Sequence, residues 1–309
     1  MGLPHQHTVG LSMARGRHID AADVIALLQD VYADGVLTRG EAEELIAFDL
    51  SVAQSTRDWQ EFFAAAISEH VTRNERDSGR ADDSASTWLI ERLSRGPRPV
   101  TVAGFAAIRR AIEHSNDPVP RLAAFAIEQM RAAVITGDGT ASAWRTHLGR
   151  MIDAADTALL HSLLVAAGGK ASRPVTRVEA EAMFNLHDAV ADANNHPSFD
   201  DLFFKAIAHH LLAAAECAVL TRREMLAPDP RLVERAGMFR RNPVRLGEQA
   251  TFTLPAGSVQ GAKLSSDDLA WLAGQIMRDG RATLAEYALL RLFTGEAGSS
   301  FCGTLENAA

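Results

Sequence analysis

A chain of 309 residues with 47% hydrophobic content has enough apolar surface to bury one large core or two ordinary ones. Its formal charge of -8 argues against nucleic acid as the default partner, because phosphate contacts need clustered Lys and Arg. Two cysteines, Cys217 and Cys302, give neither a disulfide framework nor a zinc-ligand spacing, and no run approaches the roughly 18 apolar residues of a membrane span.

Abundant Ala with only 6% aromatic residues favours helix over sheet, so an all-α, cytoplasmic protein is expected. Residues 1–18 carry His5, His7, Arg15, Arg17 and His18 with no apolar segment of signal-peptide length, and read as a flexible leader. Residues 19–140 then read as a first helical half. Val24, Leu27, Leu28 and Val31 recur at helical spacing until Asp34-Gly35, where Gly suits a helix exit. Thr38 and Glu41 match a capping box ahead of Ala42, Leu45, Ile46 and Leu50. Trp59, Phe62, Phe63, Ala66 and Ile67 form one apolar stripe, and the polar run Thr72 to Ser86 reads as an exposed loop. Trp88, Leu89 and Leu93 begin a further helix. Thr101 opens another, with Gly104 where the box would have Glu, and Leu122 to Val134 follow Pro118 and Pro120.

Residues 141–309 repeat this order. A connecting helix is expected from Trp144 to Asp153, then one from Thr157 to Ala167, and a second box at Thr176 and Glu179. Phe199 to His210 aligns without a gap on Trp59 to His70, and Trp271-Leu272 matches Trp88-Leu89. Asp279-Gly280 and the pair Thr283 and Glu286 give a third box. The expectation is a tandem duplication of helical hairpins, each burying its apolar face on a neighbour. One irregular insertion, residues 222–264, is rich in Pro, and Ala250 to Leu254 alternate enough for a short strand. Residues 294–309 read as a tail.

The first box sits in a frame like that of an EF-hand loop. Counting from Asp30 as the first position, Asp34, Thr38 and Glu41 fall where oxygen ligands belong and Gly35 where the sharp turn belongs, while Tyr32 holds the third position. The frame leaves two readings, a plain Gly turn with a capping box and no cofactor, or a weakly bound Ca²⁺ at Asp30, Asp34, Thr38 and Glu41. In the last copy Gln275 and Met277 replace the first and third ligands while Thr283 and Glu286 persist, so the feature common to the copies is the cap.

Ala33-Asp34-Gly35 and the following Glu41, preceded by an apolar helix, resemble the Ala-Asp-Gly turn and Glu of the TerB-like tellurite-resistance helical proteins. The likeness covers Ile19 to Leu50 and returns at Leu269 to Phe293. It implies an all-helical fold and an acidic metal site in stress-response or membrane-associated complexes. The function expected on this basis is a non-enzymatic scaffold or regulator with a protein partner, a homo-oligomer being open. A different reading starts from His187-Asp188, with His161, Asp192, His196, His209 and His210 in the same half, which is similar to the HD-type metal phosphohydrolases. Asp188, Asp192 and His196 would share a helix face if that helix reached Pro197, whereas the match of His210 to His70 favours an inward, hydrogen-bonded imidazole. A small-ligand site lidded by the insertion is a third reading.

Overall fold

The computed structural model describes residues 37–52, 55–78, 83–94, 99–136, 149–229, 231–232, 252–256 and 263–294. It is all-α, with no strand among the described residues. The helices are α1 (Arg39–Asp49), α2 (Arg57–Ser78), α3 (Asp83–Leu93), α4 (Val102–His114), α5 (Pro120–Thr136), α6 (Ala154–Ala166), α7 (Arg177–Ala189), α8 (Pro197–Ala214), α9 (Arg222–Met225), α10 (Ser266–Ile276) and α11 (Leu284–Thr294). They fall into two compact units. Described residues up to 115 form the first, and those from 116 onward form the second, so α5 belongs to the second unit.

In the first unit α2 runs along α4, and α1 packs on α2, α3 and α4. Trp59, Phe63, Ala66 and Ile67 of α2 are fully buried, as the apolar stripe requires. The α1 end of this core carries a buried carboxylate. Asp49 accepts from Trp59 Nε1 at 2.9 Å and from the Thr101 hydroxyl, the N-cap of α4, so its charge is met by two donors.

In the second unit α5 runs along α7, and α8 packs on α6, α7 and α11. The chain enters α7 through a tight corner. Gly169 has φ +62°, and a Cβ there would lie 2.7 Å from the Asn116 carbonyl oxygen, so only Gly fits. The corner is closed by Arg222, which is fully buried and uses all five guanidinium N–H groups. Nη1 and Nη2 reach Glu179 at 2.6 and 2.8 Å, and the remaining bonds go to the carbonyls of Leu164, Arg173 and Pro174. A second buried pair joins Lys205 to Asp201 at 2.7 Å, with the Ala227 carbonyl at the same distance from Lys205 Nζ.

Four expectations need correction. The polar stretch 72–86 is largely helical, because α2 continues to Ser78 and α3 begins at Asp83. Residues 149–153 form bends and an N-cap rather than the end of a helix, since the Asp153 side chain accepts from the Asp156 amide and starts α6 there. Phe252 to Pro255 is not a strand: Phe252 packs its ring 5.4 Å from Phe204 on α8, and apolar contact rather than strand pairing fixes the segment. The insertion also does not start at residue 222, because Arg222, Met225 and Leu226 are buried in the core and Thr221 and Glu224 form a further capping box. The leader, the Val24 to Val31 stripe and the tail after Thr294 lie outside the described residues.

Arg222→Met should cost roughly 3–5 kcal/mol, because it strands the Glu179 carboxylate in the core without its partner. The double variant Arg222→Met/Glu179→Leu should recover part of that loss in urea unfolding, and equal destabilisation in both variants would contradict the pairing.

Candidate functional site

The site residues expected at the first box divide. Thr38 and Glu41 form the cap of α1: Glu41 Oε2 accepts from the Thr38 amide at 2.8 Å and the Thr38 hydroxyl at 2.7 Å. Asp30 and Asp34 lie outside the described residues. The same carboxylate-to-threonine pair recurs at Thr176 and Glu179 and at Thr283 and Glu286.

Around the first two boxes a wider clasp repeats. His70 donates from Nδ1 to the Leu37 carbonyl at 3.0 Å, and His210 donates to the Val175 carbonyl at 3.0 Å. Trp88 Nε1 donates to Glu43 and Trp271 Nε1 to Glu181, each at 3.2 Å. Arg39 lies 5.6 Å over the Trp88 ring and Arg177 5.1 Å over the Trp271 ring, a cation–π geometry. The matched histidines are the inward imidazoles expected from the alignment. The indole bonds were missed, although a second Glu two residues after each box Glu, at Glu43 and Glu181, was there to suggest them.

The histidines of the second half do not gather. His196 caps α8, accepting from the Ser198 amide, and His209 donates from Nε2 to the Leu220 carbonyl at 3.0 Å. Asp192 pairs with Arg281 at 3.0 Å at the surface. Because α7 stops at Ala189, the shared face proposed for Asp188, Asp192 and His196 does not form. Among the described residues, one set of His, Cys, Asp and Glu side chains has mutually close ligand atoms: His187, Asp188 and Glu286, all within 4.8 Å of one another.

The geometry of that set comes from two helix ends. His187 and Asp188 close α7, and Glu286 opens α11. Phe203 of α8 stacks on the His187 ring at 3.9 Å and 7°, which fixes the imidazole plane. His187 Nε2 faces Asp200 Oδ1 at 3.6 Å, and Nδ1 faces Glu286 Oε1 at 4.0 Å. Nδ1 is buried and has no hydrogen-bond partner. Glu286 is 2% exposed, and its Oε2 is tied to the Thr283 amide and hydroxyl at 2.7 and 2.9 Å. Burial pushes the Glu286 carboxyl up from its ordinary value, against the opposing pull of the Thr283 amide and His187. Asp188 is held by Arg278, whose Nη2 and Nε lie 2.5 and 3.1 Å from Oδ2. An imidazole nitrogen and two carboxylates in this arrangement offer a three-coordinate N/O pocket to a cation.

The sequence singled out His187 and Asp188 but supplied no reason to join them to Glu286, which was read only as a cap. No protein family model, curated protein or solved structure matches the chain.

Buried histidines set a pH dependence. Burial holds His209 down to about 4, and burial likewise lowers His70, His161, His196 and His210. The unfolded chain protonates near the ordinary imidazole value while folded His209 stays neutral, so stability is lost as pH falls from about 6.5 toward 4. His209 alone should contribute roughly 3 kcal/mol of that loss. Melting temperature against pH should therefore be flatter in His209→Gln than in the wild type; parallel curves would contradict the assignment.

Proposed function

We propose that the chain is a non-enzymatic helical scaffold or regulator of the TerB-like kind, and that its two units arose by internal duplication. The repeated clasp carries this reading. Two units share the same box, the same His-to-carbonyl bond, the same indole-to-Glu bond and the same Arg over Trp. In each clasp the His and the indole-bonded Glu are taken up in holding the chain together, which is what a rigid platform requires.

The clasp also presents a surface. Arg39 and Arg177 keep 67% and 58% of their side chains exposed while lying over a Trp that is itself buried, so each unit presents a cation held in place from beneath. Arg is enriched among the residues that dominate binding energy at protein interfaces, and an Arg already held in one position loses less entropy on binding. In the first unit this face borders a cleft of about 780 Å³ lined by Thr38, Arg39, His70, Thr87, Trp88 and Glu91. A protein partner seated against these faces is the function that the arrangement supports best. The phosphohydrolase reading has less support, since His161, His196, His209 and His210 stand apart from the His187 set.

Charge reversal at Arg39 and Arg177 tests the reading. Each breaks an exposed ion pair with Glu43 or Glu181, worth about 1 kcal/mol or less, and a cation–π contact of about 0.5–1 kcal/mol. Arg39→Glu/Arg177→Glu should fold normally and lose most of the partner recovered by in-cell crosslinking to the tagged full chain. Undiminished crosslinking, or a partner crosslinked only elsewhere, would overturn the proposed face.

A further inference from the structure

The second unit sets His187 Nδ1 against Glu286 Oε1 at 4.0 Å, too far apart to share a hydrogen. Asp200 Oδ1 lies 3.6 Å from His187 Nε2, too far for a hydrogen bond, and acts through its charge to favour the tautomer that carries its hydrogen on Nε2. Nδ1 is then a bare lone pair, buried, without a partner, and 4.0 Å from Glu286 Oε1. A proton on Nδ1 does not resolve this, because an N–H···O bond needs a separation of about 3 Å. Glu286 cannot swing away, since Thr283 holds its other oxygen at the start of α11.

We propose that His187 Nδ1, Glu286 Oε1 and an Asp188 carboxylate oxygen form a binding site for one divalent transition-metal ion of the zinc class. One ligand atom from each of the three side chains lies within 4.8 Å of the others, and His187 Nδ1 is 4.0 Å from Glu286 Oε1. Bonds of about 2.1 Å to a tetrahedral ion place ligand atoms roughly 3.4 Å apart, so the imidazole and Glu286 close by only about 0.6 Å. Charge fits as well. Asp188, Asp200 and Glu286 bring three negative charges and Arg278 one positive charge, which leaves two for a dication to balance.

Two ligands have hydrogen-bonded outer partners of the kind that orient metal ligands, Arg278 on Asp188 and Thr283 on Glu286, and Asp200 faces His187 Nε2 at 3.6 Å. The nitrogen ligand sets the class. Ca²⁺ takes about six to eight oxygens, whereas one imidazole with two carboxylates suits zinc or its neighbours, with water in the fourth position. The site is also specific to the second unit. Eight residues after its box Glu the first unit has Asp49 rather than His, satisfied by Trp59 and Thr101, and Gly104 stands where Glu286 would be.

The ion would tie the first turn of α11 to the last turn of α7, beside the Arg278–Asp188 ion pair that joins the turn before α11 to the same end of α7. The test uses the full chain with His5→Gln and His7→Gln, which removes the His-x-His pair at the N-terminus as a competing ligand. After chelator stripping, this protein should take up one equivalent of Zn²⁺ with a micromolar or tighter Kd and melt at a higher temperature. Co²⁺ should give visible bands of a nitrogen-and-oxygen site, and millimolar Ca²⁺ should leave the melting temperature unchanged.

Glu286→Gln can still cap Thr283, and His187→Gln keeps a polar group of similar reach. Each should weaken Zn²⁺ binding by about tenfold or more while circular dichroism stays helical. Absence of Zn²⁺ binding in the parent, binding as strong in both variants as in the parent, or Ca²⁺ binding of equal strength would overturn the proposal. If one variant loses helical structure, the other reads the same outcome.

Discussion

Every helix starts with amide groups that have no carbonyl to bond, and this chain answers that constraint repeatedly with one device. A Thr supplies the N-cap, and a Glu three residues on reaches back to it with a single carboxylate oxygen. One oxygen suffices for the cap, so the other is left to the surroundings. At Glu41 the carboxylate serves only the cap among the bonds seen. At Glu179 the free oxygen and the shared one both receive Arg222, which folds a buried cation into the corner of the second unit. At Glu286 the free oxygen faces the lone pair of His187.

Burial decides how much these differences matter. A surface carboxylate gains little from a partner and loses little without one. Glu179 and Glu286 are 0% and 2% exposed, so each needs a positive group brought to it. Arg222 meets that need for Glu179 with all five of its donors used, which is why the segment at 221–226 packs as core rather than as a surface loop. Glu286 has His187 beside it at a separation too long for a hydrogen bond. The second unit thus keeps a polar mismatch that the first unit avoids through Asp49, Trp59 and Thr101.

Local signals in the sequence were legible. The box residues, the apolar stripes of α1 and α2, and the alignment of His70 with His210 all follow from short spacings, and each has its expected place. Failures came where distant residues decide. The polar run after Thr72 carries no apolar period, yet α2 and α3 extend through most of it. Thr221 and Glu224 formed a readable box, but the many prolines that follow drew the whole stretch into an insertion. Nothing near Arg222 in sequence announces Glu179, and nothing near His187 announces Glu286, because both pairings are made by the packing of α7 against elements far along the chain. The Ca²⁺ frame at Asp30 rested on ligand spacing, while the box that it contains is explained by helix capping alone.

The central claim is that the third box carries a spare carboxylate oxygen because His187 and Asp188 share it with an ion. Anomalous diffraction at the zinc absorption edge, from crystals of the chain grown with one equivalent of Zn²⁺, tests this most directly. The account predicts a single strong peak bounded by His187 Nδ1, Asp188 and Glu286 Oε1, with Arg278 still on Asp188. A peak at other side chains, or His187 Nδ1 found hydrogen-bonded to Glu286 with no metal near it, would contradict the account.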